Sequence, residues 1–197
     1  MKTTIFSLAA LLLMGVLVIG AGTAMSDSDR RHSQEDDDDD RWERMMRQST
    51  GVAAKSSPVY MEECGSCHMA YPPGLLPSNS WRRIMTELAD HFGDNAELDE
   101  QTAQQISDFM TSNAADKSRY RRSQQLMASI NPSTGQAPMR ITENPYFKHE
   151  HDEVPDRVIK QSGATSLSHC NACHQRAEEG SFNEREIWIK GLGRWDD

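Results

Sequence analysis

The chain has 197 residues, with 30 acidic against 21 basic side chains and a formal net charge of −9. That length suits one compact domain or two very small ones, and 37% hydrophobic residues leave little for a large self-sufficient core. A chain this acidic is repelled by nucleic acid and anionic lipid, which argues against both as ligands and favours a basic partner surface.

Lys2 and the apolar run from Ile5 to Ile19, followed by the small residues of "GAGTAMS", read as a secretory signal over residues 1–24, cleaved after Ala24. Left uncleaved, the same run approaches the roughly 20 residues that span a bilayer and would anchor the chain. Residues 25–58 contain an unbroken acidic block from Glu35 to Asp40 and end in Ser and Pro. They are too poor in apolar groups to order themselves and read as a disordered acidic linker.

Ordered structure is expected from about Val59. After "CGSCH" comes a Pro/Gly loop, "MAYPPGLLPSNS". Asn79 or Ser80 then caps a predicted helix, "WRRIMTELADHFG", with Trp81, Ile84, Met85, Leu88 and Phe92 as its apolar stripe and Gly93 as its stop. Asp99 caps a second helix running to about Asn113, with Ala103, Ile106, Phe109 and Met110 on one face. From Lys117 to Gln125 the chain is basic and polar, and five prolines and glycines between Pro132 and Pro155 predict turns, with one short helix from about Pro155 to Gln161. "CNACH" is expected on a helical turn, and "IWIKGLGRWDD" as a tail that packs a few apolar groups and ends exposed. The reading is mainly α with much irregular loop.

All four cysteines fall in two Cys-x-x-Cys-His stretches, Cys64 to His68 and Cys170 to His174. In an exported chain that motif is the attachment signature of haem c. On a helical turn, residues i, i+3 and i+4 share one face. Two sulfurs there can bond the vinyl groups on one side of a porphyrin, and the following imidazole reaches the iron. Cys64 and Cys67 would then hold haem 1 with His68 as a ligand, and Cys170 and Cys173 haem 2 with His174. A single zinc site would not explain the two histidines, and the two cysteine pairs lie too far apart for a finger. A thioredoxin-like dithiol lacks its βαβ context, and a disulfide between i and i+3 closes too small a loop to stabilise much.

The sixth ligand separates a carrier from an enzyme, since a carrier fills both axial positions. His91 flanks the stripe of the first helix and is the candidate at haem 1. His149 and His151 sit in "PYFKHEHDEVP", and an extended segment would point them to opposite sides, leaving one for haem 2. His32 lies in the acidic linker, and His169 is badly placed to reach over its own haem. Met110, Met127 and Met139 remain alternatives. Tyr71, Trp81 and Phe147 read as haem-packing residues. No acid–base pair, Ser/His/Asp set or phosphate loop stands out.

The stretch from "CGSCHMAYPPGLLPSNSWRRIMTELADHFG" to "SDFMTSNAAD" resembles the N-terminal half of the bacterial dihaem cytochrome c family that pairs with a high-spin, oxygen-binding cytochrome c. "RITENPYFKHEHDEVP" and "CNACHQRAEEGSFNEREI" resemble its C-terminal half, so that the resemblance runs from Val59 to Ile189. It implies a small two-lobed protein, with a cytochrome c-like haem 1 lobe over 59–118 and a haem 2 lobe over 119–197 that is poor in regular structure. It also implies two covalently bound haem c groups with bis-histidine ligation, His68 with His91 and His174 with His151, the latter preferred to His149. The implied role is a periplasmic carrier of single electrons, not an enzyme and without a small-molecule substrate. A membrane b-type cytochrome would be the donor and a soluble high-spin cytochrome c the acceptor. Two rival readings are a dihaem donor subunit of a periplasmic nitrate reductase, and a dihaem peroxidase or ligand sensor with an open iron. The acidic linker and the "KGLGRWDD" tail depart from the family pattern.

Overall fold

In a computed structural model of the chain, residue 45 and residues 51–53, 56–131 and 136–195 are described. The segment expected to be a signal and the acidic block lie outside the described residues. These described residues belong to one compact unit, Asp39–Asp197, and among them no helix is long and apolar enough to cross a membrane. They form six α-helices with short 3-10 turns: α1 Pro58–Cys64, α2 Ser78–Thr86, α3 Glu100–Ser112, α4 Arg121–Ser129, α5 Pro145–Glu150 and α6 Asp156–Ser162. A two-stranded antiparallel hairpin follows, β1 Trp188–Ile189 with β2 Gly193–Arg194, pairing Trp188 with Arg194 and Ile189 with Gly193.

Local chemistry accounts for the helix ends. Pro58 opens α1 and Pro145 opens α5, each at a position where the missing N–H costs nothing. Asp99 caps α3 by accepting from the Thr102 N–H at 3.0 Å. At α2 the cap comes from a distant residue: Asp116 accepts from the Ser78 N–H at 2.8 Å and from its hydroxyl at 2.7 Å. Asp116→Ala removes that cap and should cost about 1 kcal/mol, seen as a Tm about 3 °C lower in thermal melts of the holoprotein. An unchanged Tm would show that water replaces the carboxylate without loss.

Two apolar clusters form the core. The first gathers Tyr60, Leu76, Trp81, Ile84, Ile106 and Met110, where α2 and α3 pack together over α1. The second gathers Val52, Met69, Leu75, Leu126, Cys170 and Phe182. Packing therefore starts before Val59: Val52 is fully buried, and its N–H donates to the Gly180 carbonyl at 2.9 Å. A short apolar piece at the end of the acidic segment seals the second cluster.

Several elements differ from the sequence reading. The helix expected over Trp81–Phe92 begins at Ser78 and stops at Thr86, and a 3-10 turn over Leu88–Asp90 follows. Phe92 leaves the stripe, with φ of 58° and 40% exposure. The polar stretch around Lys117–Gln125 contributes to α4, which needs only Ser123 and Leu126 as its buried residues. The Ser123 hydroxyl donates to the Gly74 carbonyl at 2.8 Å, so a polar side chain does the docking that periodicity assigns to apolar ones. The Pro-rich stretch holds α5 as well as the expected α6. The C-terminal tail packs Ile189 as expected, but does so in a hairpin that leaves Trp188 exposed.

Candidate haem-binding centres

Each Cys-x-x-Cys-His stretch lies on a turn rather than within a helix. Cys64 is the last residue of α1, and Cys67 and His68 follow in the turn beyond it. Cys170 opens a 3-10 turn over Cys170–Ala172, and the His174 N–H donates to the Cys170 carbonyl at 2.8 Å. All four thiols are unpaired; Cys67 is exposed and Cys170 buried. Burial pushes the Cys64 and Cys170 thiols up to about 11, and it raises Cys173 as well. Among the described residues, no group of three or more His, Cys, Asp or Glu side chains is placed to hold one metal ion.

The histidines come together in pairs. His68 and His91 face each other with ring centroids 6.2 Å apart and planes 18° from parallel. His151 and His174 stand 6.1 Å apart with planes at 70°. An iron held between two imidazoles at about 2 Å from each nitrogen spaces the ring centres by roughly 6 Å. Both centroid separations match the spacing that two imidazoles on one six-coordinate iron require.

Local structure sets each ring. The His68 Nδ1 lies 2.7 Å from the Met69 carbonyl, and the His151 Nδ1 lies 2.8 Å from the Phe147 carbonyl. An Nδ1–H donating there leaves Nε2 free for a metal, the usual arrangement behind a ligating imidazole. His91 is presented by a tight turn: its N–H donates to the Asp94 carbonyl at 2.7 Å, and the Asp90 carboxylate accepts from the Gly93 N–H at 3.0 Å. Phe92 takes its left-handed φ in that turn, which is uncommon for a bulky residue. Its ring meets His91 edge-on at 4.9 Å and lies 4.1 Å from the Arg140 guanidinium. His174 is fixed by backbone pairing with Ile187, and its Nδ1 is buried without a hydrogen-bond partner. Burial, with His151 and Arg122 adding to it, lowers His174 to about 4. Burial and the charges of His68 and Arg140 also lower His91. Both are held in the neutral form that binds metals.

The His151–His174 pair lines a hollow that is open to solvent. Phe147, Val154, Ile159, Leu167, Ile187 and Ile189 give it apolar walls, and Arg122 and Glu150 also line it. The residues present at this centre fit a haem: paired imidazoles, adjacent thiols and an apolar chamber.

Other candidates fall elsewhere. The His149 side chain is 78% exposed, 3.7 Å from Asp152. His151 caps the end of α5, so the two are separated by helical geometry and not by an extended strand. The His169 Nδ1 accepts from the Thr165 N–H at 3.2 Å. Met110 is buried in the first cluster, and Met139 packs against it. Tyr71 stacks on His68 and Phe147 on His151, at 4.9 and 4.0 Å, while the Trp81 indole donates to the Pro73 carbonyl at 2.8 Å. Arg122 and Arg140 were not singled out from the sequence. Nothing in their local pattern sets them apart from other surface arginines.

The dihaem cytochrome c family profile matches residues 60–182. No curated protein matches the chain. Among solved structures, it is similar to a dihaem cytochrome c from Shewanella baltica OS155, at 41% identity and TM-score 0.57, covering 71% of this chain and 97% of that one. It is similar also to a dihaem cytochrome c from Rhodobacter sphaeroides, at 40% identity and TM-score 0.57, over 67% of this chain and 99% of that one. Matched by that profile and sharing this identity over nearly the full length of both relatives, the chain belongs to the dihaem cytochrome c family, with two covalently attached haem c groups and a haem electron-carrier role.

Proposed function

We propose that this protein is an exported carrier whose two haem irons are both closed by histidine pairs, His68 with His91 and His151 with His174. Cys64 and Cys67 hold the first haem, and Cys170 and Cys173 the second. The spacing of the two imidazole pairs, 6.2 and 6.1 Å, carries this reading. Each bound haem supplies an iron that exchanges one electron between its ferric and ferrous forms. The chain's own part is to keep the ligand sets unchanged through that exchange. Carbonyl anchors at His68 and His151 and burial at His174 hold the rings in place, so little has to reorganise when charge moves.

The donor proposed is a membrane b-type cytochrome and the acceptor a small soluble high-spin cytochrome c, with transfer in the periplasm. The net charge of −9 favours a basic docking surface on the acceptor, so transfer between them should slow as salt rises.

The test is optical and low-temperature EPR spectroscopy of the oxidised holoprotein, with carbon monoxide added after reduction. Two low-spin signals of different shape are expected. Near-parallel imidazole planes separate the iron d orbitals that point at the ligand π systems and give a well-resolved rhombic signal. Planes near perpendicular leave those orbitals almost degenerate and give a strongly anisotropic signal with a large maximum g. The 18° pair should show the first and the 70° pair the second. A high-spin iron that binds carbon monoxide would overturn the carrier reading for that haem and favour catalysis or sensing.

A further inference from the structure

We propose that Tyr71 is a positioning residue for the haem 1 ligand His68, itself held by the segment that carries the haem 2 cysteines. The proposal rests on the ligation reading above. The Tyr71 ring lies 4.9 Å from the His68 ring with the planes 30° apart. Its hydroxyl donates to the Ser168 carbonyl at 2.8 Å, across 97 residues of sequence. Ser168 is two residues before Cys170, and the Cys170 Sγ lies 3.6 Å from the same carbonyl. At the other end, the Tyr60 hydroxyl donates to the Tyr71 carbonyl at 2.8 Å, which ties the Tyr71 backbone to α1, the helix that ends in Cys64. Tyr71 packs against both apolar clusters, and a hollow between the two motifs is lined by His68, Tyr71, Ser168 and His169.

The His68 plane is thus fixed twice. The Met69 carbonyl at 2.7 Å fixes its edge, and Tyr71 backs its face. At the other centre, Phe147 stacks on His151 at 4.0 Å and 14°, and the Phe147 carbonyl takes the same ring's Nδ1. That second arrangement is built within α5 and has no hydroxyl to reach elsewhere. Tyr71 differs in using its polar end to refer the orientation of one iron's ligand to the attachment turn of the other. A phenol is suited to this because its ring packs while its hydroxyl bonds. Ligand orientation and hydrogen bonding around an axial imidazole are among the means by which a protein sets the properties of a haem.

The experiment compares EPR spectra of the oxidised wild-type, Tyr71→Phe and Tyr71→Leu holoproteins, with Tm measured for each. The rhombic signal is expected to broaden in Tyr71→Phe, which keeps the ring and loses the tie to Ser168. It is expected to shift in Tyr71→Leu, which loses both. The anisotropic signal of the His151–His174 centre should stay where it is in both variants. An unmoved rhombic signal in Tyr71→Leu overturns the proposal, as does an equal disturbance of both signals, which would mean general loosening. A silent Tyr71→Phe overturns the link to the haem 2 segment, and it carries that test even if Tyr71→Leu fails to fold. Failure of the ligation reading looks different, because the wild-type protein would then already lack one low-spin signal.

Discussion

In holoprotein carrying His91→Ala, one iron becomes high-spin and takes up carbon monoxide when reduced, while the other keeps its low-spin signal. The ring that faces His68 across 6.2 Å is removed, and alanine offers no donor. The wild-type rhombic signal should therefore vanish and the anisotropic one remain. His151→Ala should give the converse. His149→Ala should leave both signals untouched, because its side chain is 78% exposed and turned to Asp152. Fully low-spin spectra in His91→Ala would remove His91 from the ligand set. A spectral change in His149→Ala would overturn the choice of His151 over His149.

The parts of this centre that the sequence makes legible are those set by short covalent spacing. Cys-x-x-Cys-His places two thiols and an imidazole together whatever the surroundings. The distal candidates have no such local signal. The apolar period sets His91 beside the stripe of a long helix, yet α2 stops at Thr86 and a tight turn with Phe92 at positive φ presents the ring. The apolar period continued through Leu88 to Phe92 while the backbone did not, since Asp90 caps the Gly93 N–H locally instead. The sequence around His151 reads as extended, yet the residue stands at the end of a helix. That helix was hidden because its start depends on Pro145 and a buried asparagine, not on an apolar stripe. Helix α4 was hidden for a related reason: Ser123 docks by a hydrogen bond, and hydrophobic periodicity is blind to that. Long-range polar contacts such as Asp116 to Ser78 and Tyr71 to Ser168 leave no local signal at all.

Asn144→Ala should be the most damaging single change outside the ligands. Asn144 is fully buried, and its side chain makes three bonds. Its oxygen accepts from the Tyr146 N–H and from the Ser129 hydroxyl, each at 2.9 Å, and its amide nitrogen donates to the Leu126 carbonyl at 3.2 Å. One side chain therefore caps α5 and joins it to the end of α4. Truncation leaves the Tyr146 N–H without its cap and unties α5 from α4, while the Ser129 hydroxyl still pairs with the Leu126 carbonyl at 2.8 Å; the cost is about 1–3 kcal/mol, which corresponds to a Tm lower by roughly 3–10 °C. Asn144→Ser should restore part of that loss, because serine can still cap Tyr146 but cannot reach both partners on α4. The consequence is local as well as global, since α5 carries Phe147 and ends at His151. With α5 loosened, His151 should leave its iron more often. Reduced Asn144→Ala holoprotein should then take up carbon monoxide at the His151–His174 centre well below its Tm, while the His68–His91 centre stays closed. If Tm falls and neither centre binds carbon monoxide, Asn144 stabilises the fold without placing His151. If both centres bind it equally, the two clusters loosen together and the damage is not confined to α5.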